Sequence, residues 1–265
     1  MEKNNPKIGI IGVGMVGGAL KTYFGKKGLP LFLYDKGKNI GSPAEAGMAD
    51  LVFVCVPTPF EEDKGFDFSY VEEACGILTG EKVVVIKSTV LPGSTQALQN
   101  KFLQHKFLFN PEFLTEATAQ EDFEKPGRQI VGFTDQSRDQ AKFVLDLLPD
   151  APYKKIMPAK EAEMVKYFGN TWFSIKVSFA NQMYDLCQKL NINYDLVKEA
   201  AGEDKMVGKT HLEIFHKNYR GYGGKCLPKD IKALIRFADE NGIDLKLHKT
   251  AERINQELID RQANE

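Results

Sequence analysis

Apolar residues in the first half of the chain fall into short runs separated by helix-like stretches. Runs at 7–11, 31–34, 51–56, 82–87, 106–109 and 129–133 read as strands. The run Leu51-Val52-Phe53-Val54-Cys55-Val56 is apolar without alternation, which suits a strand covered on both faces. Turn signals at Gly41-Ser42-Pro43, Pro57-Thr58-Pro59 and Pro92-Gly93 divide the runs. Strands alternating with helices predict an α/β fold built on a doubly wound parallel sheet.

Beyond Pro158 the pattern changes. Residues 159–190 contain no proline and one glycine, with apolar positions at helical spacing. They predict one long helix of roughly 45 Å. A helix of that length in a small domain needs a large surface to pack on, so a homodimer through it is expected. Shorter helices are expected at 194–201, 228–241 and 248–263, with Pro228 at a first helical position. Residues 208–225, rich in glycine and aromatics, read as a functional loop. The expected organisation is a sheet domain over 1–155 followed by an all-helical domain over 156–265.

Composition narrows the class. The 265 residues are 43% hydrophobic and 27% charged, the balance of a globular protein with a substantial core. A net charge of -1 without a basic tract argues against nucleic acid and against an acidic membrane surface. No apolar run approaches the ~20 residues of a membrane span. The opening residues, Met1 to Pro6, are polar and unlike a signal peptide, so a cytoplasmic location is expected. Cysteines at 55, 75, 187 and 226 form no C-x-x-C pair, and histidines at 105, 211, 216 and 248 have no metal-ligand spacing. Neither a disulfide framework nor a metal site is expected.

The first strand runs into Gly12-Val13-Gly14-Met15-Val16-Gly17 and then a helix. That context makes a common glycine pattern informative, because it is the opening of a Rossmann dinucleotide site. Gly12 permits the tight turn, Gly14 lets backbone approach a pyrophosphate, and Gly17 lets helix and strand pack closely. The helix N-terminus offers free N–H groups to phosphate. Asp35 ends the second strand, where an acid accepts hydrogen bonds from ribose hydroxyls and repels a 2′-phosphate. NAD is therefore expected over NADP, with Lys36 weakening the preference slightly.

Five further segments carry a family resemblance. They are Val54-Cys55-Val56-Pro57-Thr58-Pro59, Lys87-Ser88-Thr89-Val90-Leu91-Pro92-Gly93-Ser94-Thr95, Asn110-Pro111-Glu112-Phe113-Leu114-Thr115-Glu116, Glu163-Met164-Val165-Lys166-Tyr167-Phe168-Gly169-Asn170, and Gly221-Tyr222-Gly223-Gly224-Lys225-Cys226-Leu227-Pro228-Lys229-Asp230. In this order they resemble the UDP-glucose/GDP-mannose dehydrogenases, and the Arg128 segment and Cys-Leu-Pro-Lys-Asp are most similar to the UDP-glucose enzymes.

The resemblance implies oxidation of the C6 alcohol of a nucleotide sugar to a carboxylate with two NAD, a step of polysaccharide biosynthesis. It makes UDP-glucose the favoured substrate and Cys226 the nucleophile that traps the aldehyde as a thiohemiacetal and carries it to a thioester. A helix start at Pro228 and the neighbouring Lys225 and Lys229 would favour the thiolate. Lys166 and Asn170, four apart and so on one helix face, would stabilise oxyanions at C6. Asp230 with Thr89 would hold a water and assist proton removal, Glu112 would be the base for thioester hydrolysis, and Glu116 would lie near that water and the nicotinamide. Phe113 and Leu114 would hold the sugar. Thr58 and Lys229 would add cofactor contacts, and Phe215, Tyr219 and Gly223 would line the loop over the substrate's nucleotide.

The sequence also departs from the family. The third domain, which closes over the uridine diphosphate in typical members, is expected to be absent. Met206 stands where many members place an arginine that reaches across a dimer, and Lys205 lacks that residue's bidentate fork. Two other readings stay open: an NAD-binding or scaffolding module without turnover, and a two-electron dehydrogenase of the β-hydroxyacid type, which shares the Lys-x-x-x-Asn pair and needs no cysteine.

Overall fold

The computed structural model describes residues 6–216 and 218–263. Most of the polar N-terminal run, and Lys217 within the expected functional loop, lie outside them. The chain divides into two compact units, Met1–Lys166 and Tyr167–Glu265.

The first unit opens with β1 (Ile8–Ile11), α1 (Met15–Lys26), β2 (Leu31–Tyr34), the single turn α2 (Pro43–Ala46) and β3 (Leu51–Val54). A small ribbon, β4 (Phe60–Glu61) with β5 (Gly65–Phe66), leads to α3 (Ser69–Gly76) and β6 (Val83–Ile86). Then follow α4 (Ser94–Lys101), β7 (Lys106–Phe109), α5 (Ala119–Glu124), β8 (Arg128–Phe133), α6 (Arg138–Leu147) and β9 (Tyr153–Pro158). The main sheet has seven strands in the order β2-β1-β3-β6-β7-β8-β9.

The strand order reverses beside β1, which makes the unit doubly wound. Every residue of β1, β3 and β6 is buried, as continuous apolar runs require. Alternate residues feed two cores. Val52, Val54, Val84, Ile86, Phe107 and Phe109 enter one. Ile8, Ile10, Phe53, Val85 and Leu108 enter the other, where Leu20 and Phe24 of α1 meet them.

Two features depart from the expected parallel sheet. β8 pairs antiparallel with β7, while the other neighbours are parallel. The segment between β7 and β8 returns from the end where β7 finishes, without the crossover that parallel pairing needs. The second is β9, which no apolar run announces. It is an edge strand whose Tyr153, Lys154 and Lys155 are exposed, so it lacks the buried pattern that reveals the others.

The division between units also differs from the expected junction near 155. The long helix α7 (Ala159–Lys189) contributes its first two turns to the sheet unit. Ala159, Ala162 and Val165 join the first core. Gly132 of β8 makes this possible, since a Cβ there would lie 2.8 Å from both the Ala159 Cα and the Ala162 Cβ.

The second unit holds the rest of α7, then α8 (Tyr194–Gly202), a ribbon of β10 (Phe215–His216) with β11 (Tyr219–Arg220), α9 (Leu227–Glu240) and α10 (Lys246–Ala263). The helices match the apolar spacing. The ribbon is an addition to the expected all-helical domain, and it turns at Asn218 with φ of 68°. Two small cores form here, one around Ala180, Cys187, Tyr194 and Ile214 and one around Val177, Tyr222, Ile231 and Ala251.

Buried Asn255 of α10 fastens the glycine-rich loop. Its Oδ1 accepts from the Tyr222 N–H at 2.7 Å, and its Nδ2 donates to the Tyr222 carbonyl at 2.9 Å. Among the described residues no helix is long and apolar enough to cross a membrane.

The close approach at Gly132 generates a test. Replacing Gly132 by Ala inserts a methyl group where neither α7 nor β8 has room. The sheet unit should lose about 1–3 kcal/mol, read as a lower urea midpoint at unchanged slope. An unchanged midpoint would show that α7 is free to retreat.

Candidate functional site

The glycine turn is built from backbone. Gly12 has φ of 87°, and a Cβ on it would come within 2.6 Å of the Cys55 carbonyl oxygen. A Cβ on Gly17 would lie 1.9 Å from the Gly12 carbonyl oxygen. Gly14 differs: nothing lies within 4 Å of its missing side chain. It is the N-cap of α1, with no side chain capping the helix. Unfilled N–H groups beside open space form the cradle that a pyrophosphate needs, so these residues fit a dinucleotide. Met15 is exposed, Val16 half-buried and Val13 buried. Asp35 is tied to the turn: its Oδ2 accepts from the Val13 N–H at 2.7 Å and its Oδ1 from the Lys38 N–H at 2.9 Å. The Lys38 ammonium donates to the Val13 carbonyl at 2.6 Å. The Thr58 hydroxyl donates to the Thr89 carbonyl at 2.8 Å, joining the turns that follow β3 and β6.

A charged cluster lies at the ends of β6 and β7. The Lys166 ammonium sits 2.6 Å from Glu112 Oε1 and donates to the Glu112 carbonyl at 2.9 Å. Both side chains are nearly enclosed, at 6% and 11% exposure. Burial alone would raise the Glu112 carboxyl. The Lys166 charge and hydrogen bond, the Leu114 N–H at 2.8 Å and the Lys87 charge outweigh it and hold the group below the usual carboxylate range. Lys87 is buried and donates to Asn110 Oδ1 at 2.7 Å, and Asn110 in turn donates to Gln129 and to the Ile130 carbonyl. Burial pushes the Lys87 ammonium down to about 8. The Phe113 ring has the Arg128 guanidinium 3.8 Å from its centre and the Lys166 ammonium at 5.9 Å. Leu114 is half-buried and Glu116 exposed.

One turn before Lys166, buried Glu163 caps α4. Its carboxylate accepts from the Gly93 N–H at 2.5 Å, the Thr95 N–H at 2.8 Å and the Thr95 hydroxyl at 2.6 Å. Burial pushes this carboxyl up to about 6 against those bonds.

In the second unit Cys226 is the N-cap of α9 and is exposed. Cys75 and Cys187 are buried, and burial pushes the Cys55 thiol up to about 12. Asp230, in the first turn of α9, is 1% exposed. Its Oδ2 accepts from Asn170 Nδ2 at 2.6 Å and its Oδ1 from the Lys229 ammonium at 2.5 Å. Phe215 is exposed, while Tyr219 and Gly223 are half-buried, with the Tyr219 hydroxyl 2.9 Å from where a Gly223 Cβ would sit.

Within each unit, then, the structure brings together Glu112, Phe113 and Lys166, and likewise Asn170, Asp230 and Lys229. Sequence reasoning gave no role to Lys87, Asn110, Gln129 or Glu163. The available signal was a lysine directly after the all-buried run of β6, because a charge at the end of a buried strand needs partners. Glu163 gave none, since its partners lie far along the chain.

Comparison with known proteins places these units. A model described as the UDP-glucose/GDP-mannose dehydrogenase family, NAD binding domain, matches residues 40–146, and that family's central domain matches residues 160–257. The UDP-glucose 6-dehydrogenase of Pseudomonas aeruginosa is 34% identical over 223 residues, 78% of this chain and 48% of that protein. A UDP-glucose dehydrogenase structure from the archaeon Pyrobaculum islandicum is 30% identical with a TM-score of 0.87, covering 96% of this chain and 69% of that one. The 3-hydroxyisobutyrate dehydrogenase of Mycobacterium tuberculosis shares the fold, with a TM-score of 0.74 at 14% identity, over 96% of this chain and 93% of that one. The chain spans about half the length of the curated relatives it matches.

Lys87 provides a pH test. Its ordinary value of 10.5 applies in the unfolded chain and about 8 in the fold. Below pH 8 both states are charged, and the burial cost is present in full. As pH rises from 8 to 10.5 the folded form sheds its proton first, and the fold gains up to about 3 kcal/mol from this group. In Lys87→Met that gain is lost. Urea stability of wild type minus variant should therefore rise between pH 7 and pH 10; a flat difference would contradict a buried, charged Lys87.

Proposed function

The chain belongs to the UDP-glucose/GDP-mannose dehydrogenase family, and on that premise we propose that it oxidises the C6 alcohol of a nucleotide sugar, UDP-glucose in the first place, to the carboxylate. The observation that carries this reading is the setting of Cys226. It is the exposed cysteine, at the start of a helix whose first turn holds Asp230 between Asn170 and Lys229.

NAD, when bound at the glycine turn, accepts one hydride in each of two oxidations. The chain's residues do the remainder. The Asp230 carboxylate, with Thr89 and a water, takes the C6 hydroxyl proton as the first hydride leaves. Cys226 Sγ then adds to the aldehyde carbon, giving a thiohemiacetal. Loss of the second hydride from that tetrahedral carbon leaves a thioester on Cys226. Water attacks the thioester with Glu112 taking its proton, which releases the carboxylate and returns the thiol. Lys166 and Asn170 supply a cation and an amide donor for the oxygen charge that develops at C6. Lys166 suits this role because its charge is already held in a dry setting by Glu112, so little reorganisation is needed. Glu116 contributes near the hydrolytic water, while Phe113, Leu114, Phe215, Tyr219 and Gly223 grip the substrate.

A homodimer through α7 belongs to the same reading. Phe168, Trp172, Phe179, Leu186 and Leu190 are exposed at 73%, 50%, 60%, 50% and 58%. They recur at helical spacing, a pattern that a surface leaves uncovered only at cost.

Two measurements test the proposal. Incubation with NAD and UDP-glucose, UDP-acetamido sugars or GDP-mannose should release two NADH per uronic acid. Cys226→Ser should lower the rate by at least 10³-fold, an order of magnitude for loss of a covalent nucleophile, and stall after one hydride. NAD binding without turnover on any sugar would leave a binding module, and full turnover by Cys226→Ser would favour two-electron chemistry. Light scattering at micromolar concentration should give twice the chain mass, and Phe168→Glu should give the chain mass alone; a monomeric wild type removes the α7 interface.

A further inference from the structure

A cavity of about 430 Å³ opens beside the Glu112 cluster, entirely within the sheet unit. Its walls include Lys87, Glu112, Phe113, Phe123, Lys125 and Arg128. Its charges do not balance. The carboxylate of Glu112 is matched by Lys166 at 2.6 Å. Asp122, also on the wall, accepts from the Thr115 N–H and the Thr118 hydroxyl, each at 2.8 Å. Lys125 reaches Glu121 at 3.5 Å on the surface.

Two cations remain without an acid of their own. Lys87 donates to an amide oxygen, that of Asn110. The Arg128 side chain makes no ion pair or hydrogen bond among the described residues; its guanidinium rests on the Phe113 ring at 3.8 Å. Burial pushes Arg128 downward, with no opposing acid. A guanidinium has five donors in a planar fork, and a half-enclosed one that finds no acceptor is costly. With Glu112 matched by Lys166, the two cations Lys87 and Arg128 outnumber the one wall carboxylate that has no cation, Asp122, and this surplus of positive charge favours an anion inside the cavity.

We propose that this cavity is a binding site for a small organic carboxylate, held by Arg128 with Lys87 behind it. The shape of the donor favours a carboxylate. A guanidinium flat against an aromatic ring keeps its edge for a planar, bidentate acceptor. The volume is that of a small-molecule site, and its apolar walls, Phe113, Leu114, Phe123 and Pro126, suit the body of an organic acid, where a lone phosphate would leave most of the space empty. Resting on the dehydrogenase reading, the natural occupant is the uronate carboxylate itself, so the site would retain product.

The test uses the full chain, free D-glucuronate as probe and D-glucose as its neutral counterpart, at constant ionic strength, with calorimetry as readout. Glucuronate should bind at least 10-fold more tightly than glucose. Arg128→Gln should weaken glucuronate at least 10-fold while leaving NAD binding unchanged, which certifies its fold. Should Arg128→Gln lose NAD binding as well, Arg128→Lys decides: it keeps the charge and removes the fork, and should still weaken glucuronate. Equal binding of the two sugars, or full glucuronate affinity in the folded variant, overturns the proposal. Failure here is separable from failure of the dehydrogenase reading. Glucuronate binding without NADH release from any nucleotide sugar would sink only the latter, and NADH release without glucuronate binding only the former.

Discussion

The enclosed contact between Lys166 and Glu112 is the interaction on which the candidate chemistry depends. Two opposite charges taken out of water are tolerable only as a pair. Removing one partner strands the other, at about 3–5 kcal/mol. The Lys166 charge therefore helps hold the Glu112 carboxyl below the usual carboxylate range. Glu112 stays an anion despite its burial. The backbone shares in this, because Lys166 also holds the Glu112 carbonyl and the Leu114 N–H holds the carboxylate. The Asn110–Leu114 segment is thus shaped by the charges it presents.

Backbone and packing explain why these groups can meet. Gly132 allows α7 to lie close on β8, which brings the first turns of that helix into the sheet's core. Glu163 on the same turns caps α4, a helix whose own N-cap, Gly93, is left-handed and has no side chain to offer. One stretch of helix thereby seals a core, completes another helix and delivers a lysine. In the second unit Asn255 performs a comparable service for the glycine-rich loop, matching both backbone groups of Tyr222 ahead of Cys226.

Much of this is legible in the sequence, for physical reasons that can be named. The strands β1, β3 and β6 announce themselves because both faces are covered, so polar residues are excluded throughout. The glycine turn is legible because Gly12 and Gly17 occupy places where a Cβ would strike backbone. The long helix shows through its spacing. What escapes is set by distant partners. β9 is an edge strand with exposed lysines and carries no periodic signal. The antiparallel entry of β8 depends on the path of the preceding loop, which composition does not encode. The unit boundary is displaced because two turns of α7 pack where the chain has come from. Lys87 reads as a strand end until Asn110 and Gln129 are seen around it.

The exposed margin formed by β9 has a consequence for how the protein behaves when crowded. An open strand invites a neighbour to extend the sheet, the first step toward fibrous aggregates. Lys155 places an exposed charge on that margin, Lys154 is paired with Asp150 at 2.6 Å, and Pro158 at its end lacks the N–H a new strand would use. Two approaching margins would repel each other. Backbone pairing at this margin is thus discouraged by its own residues.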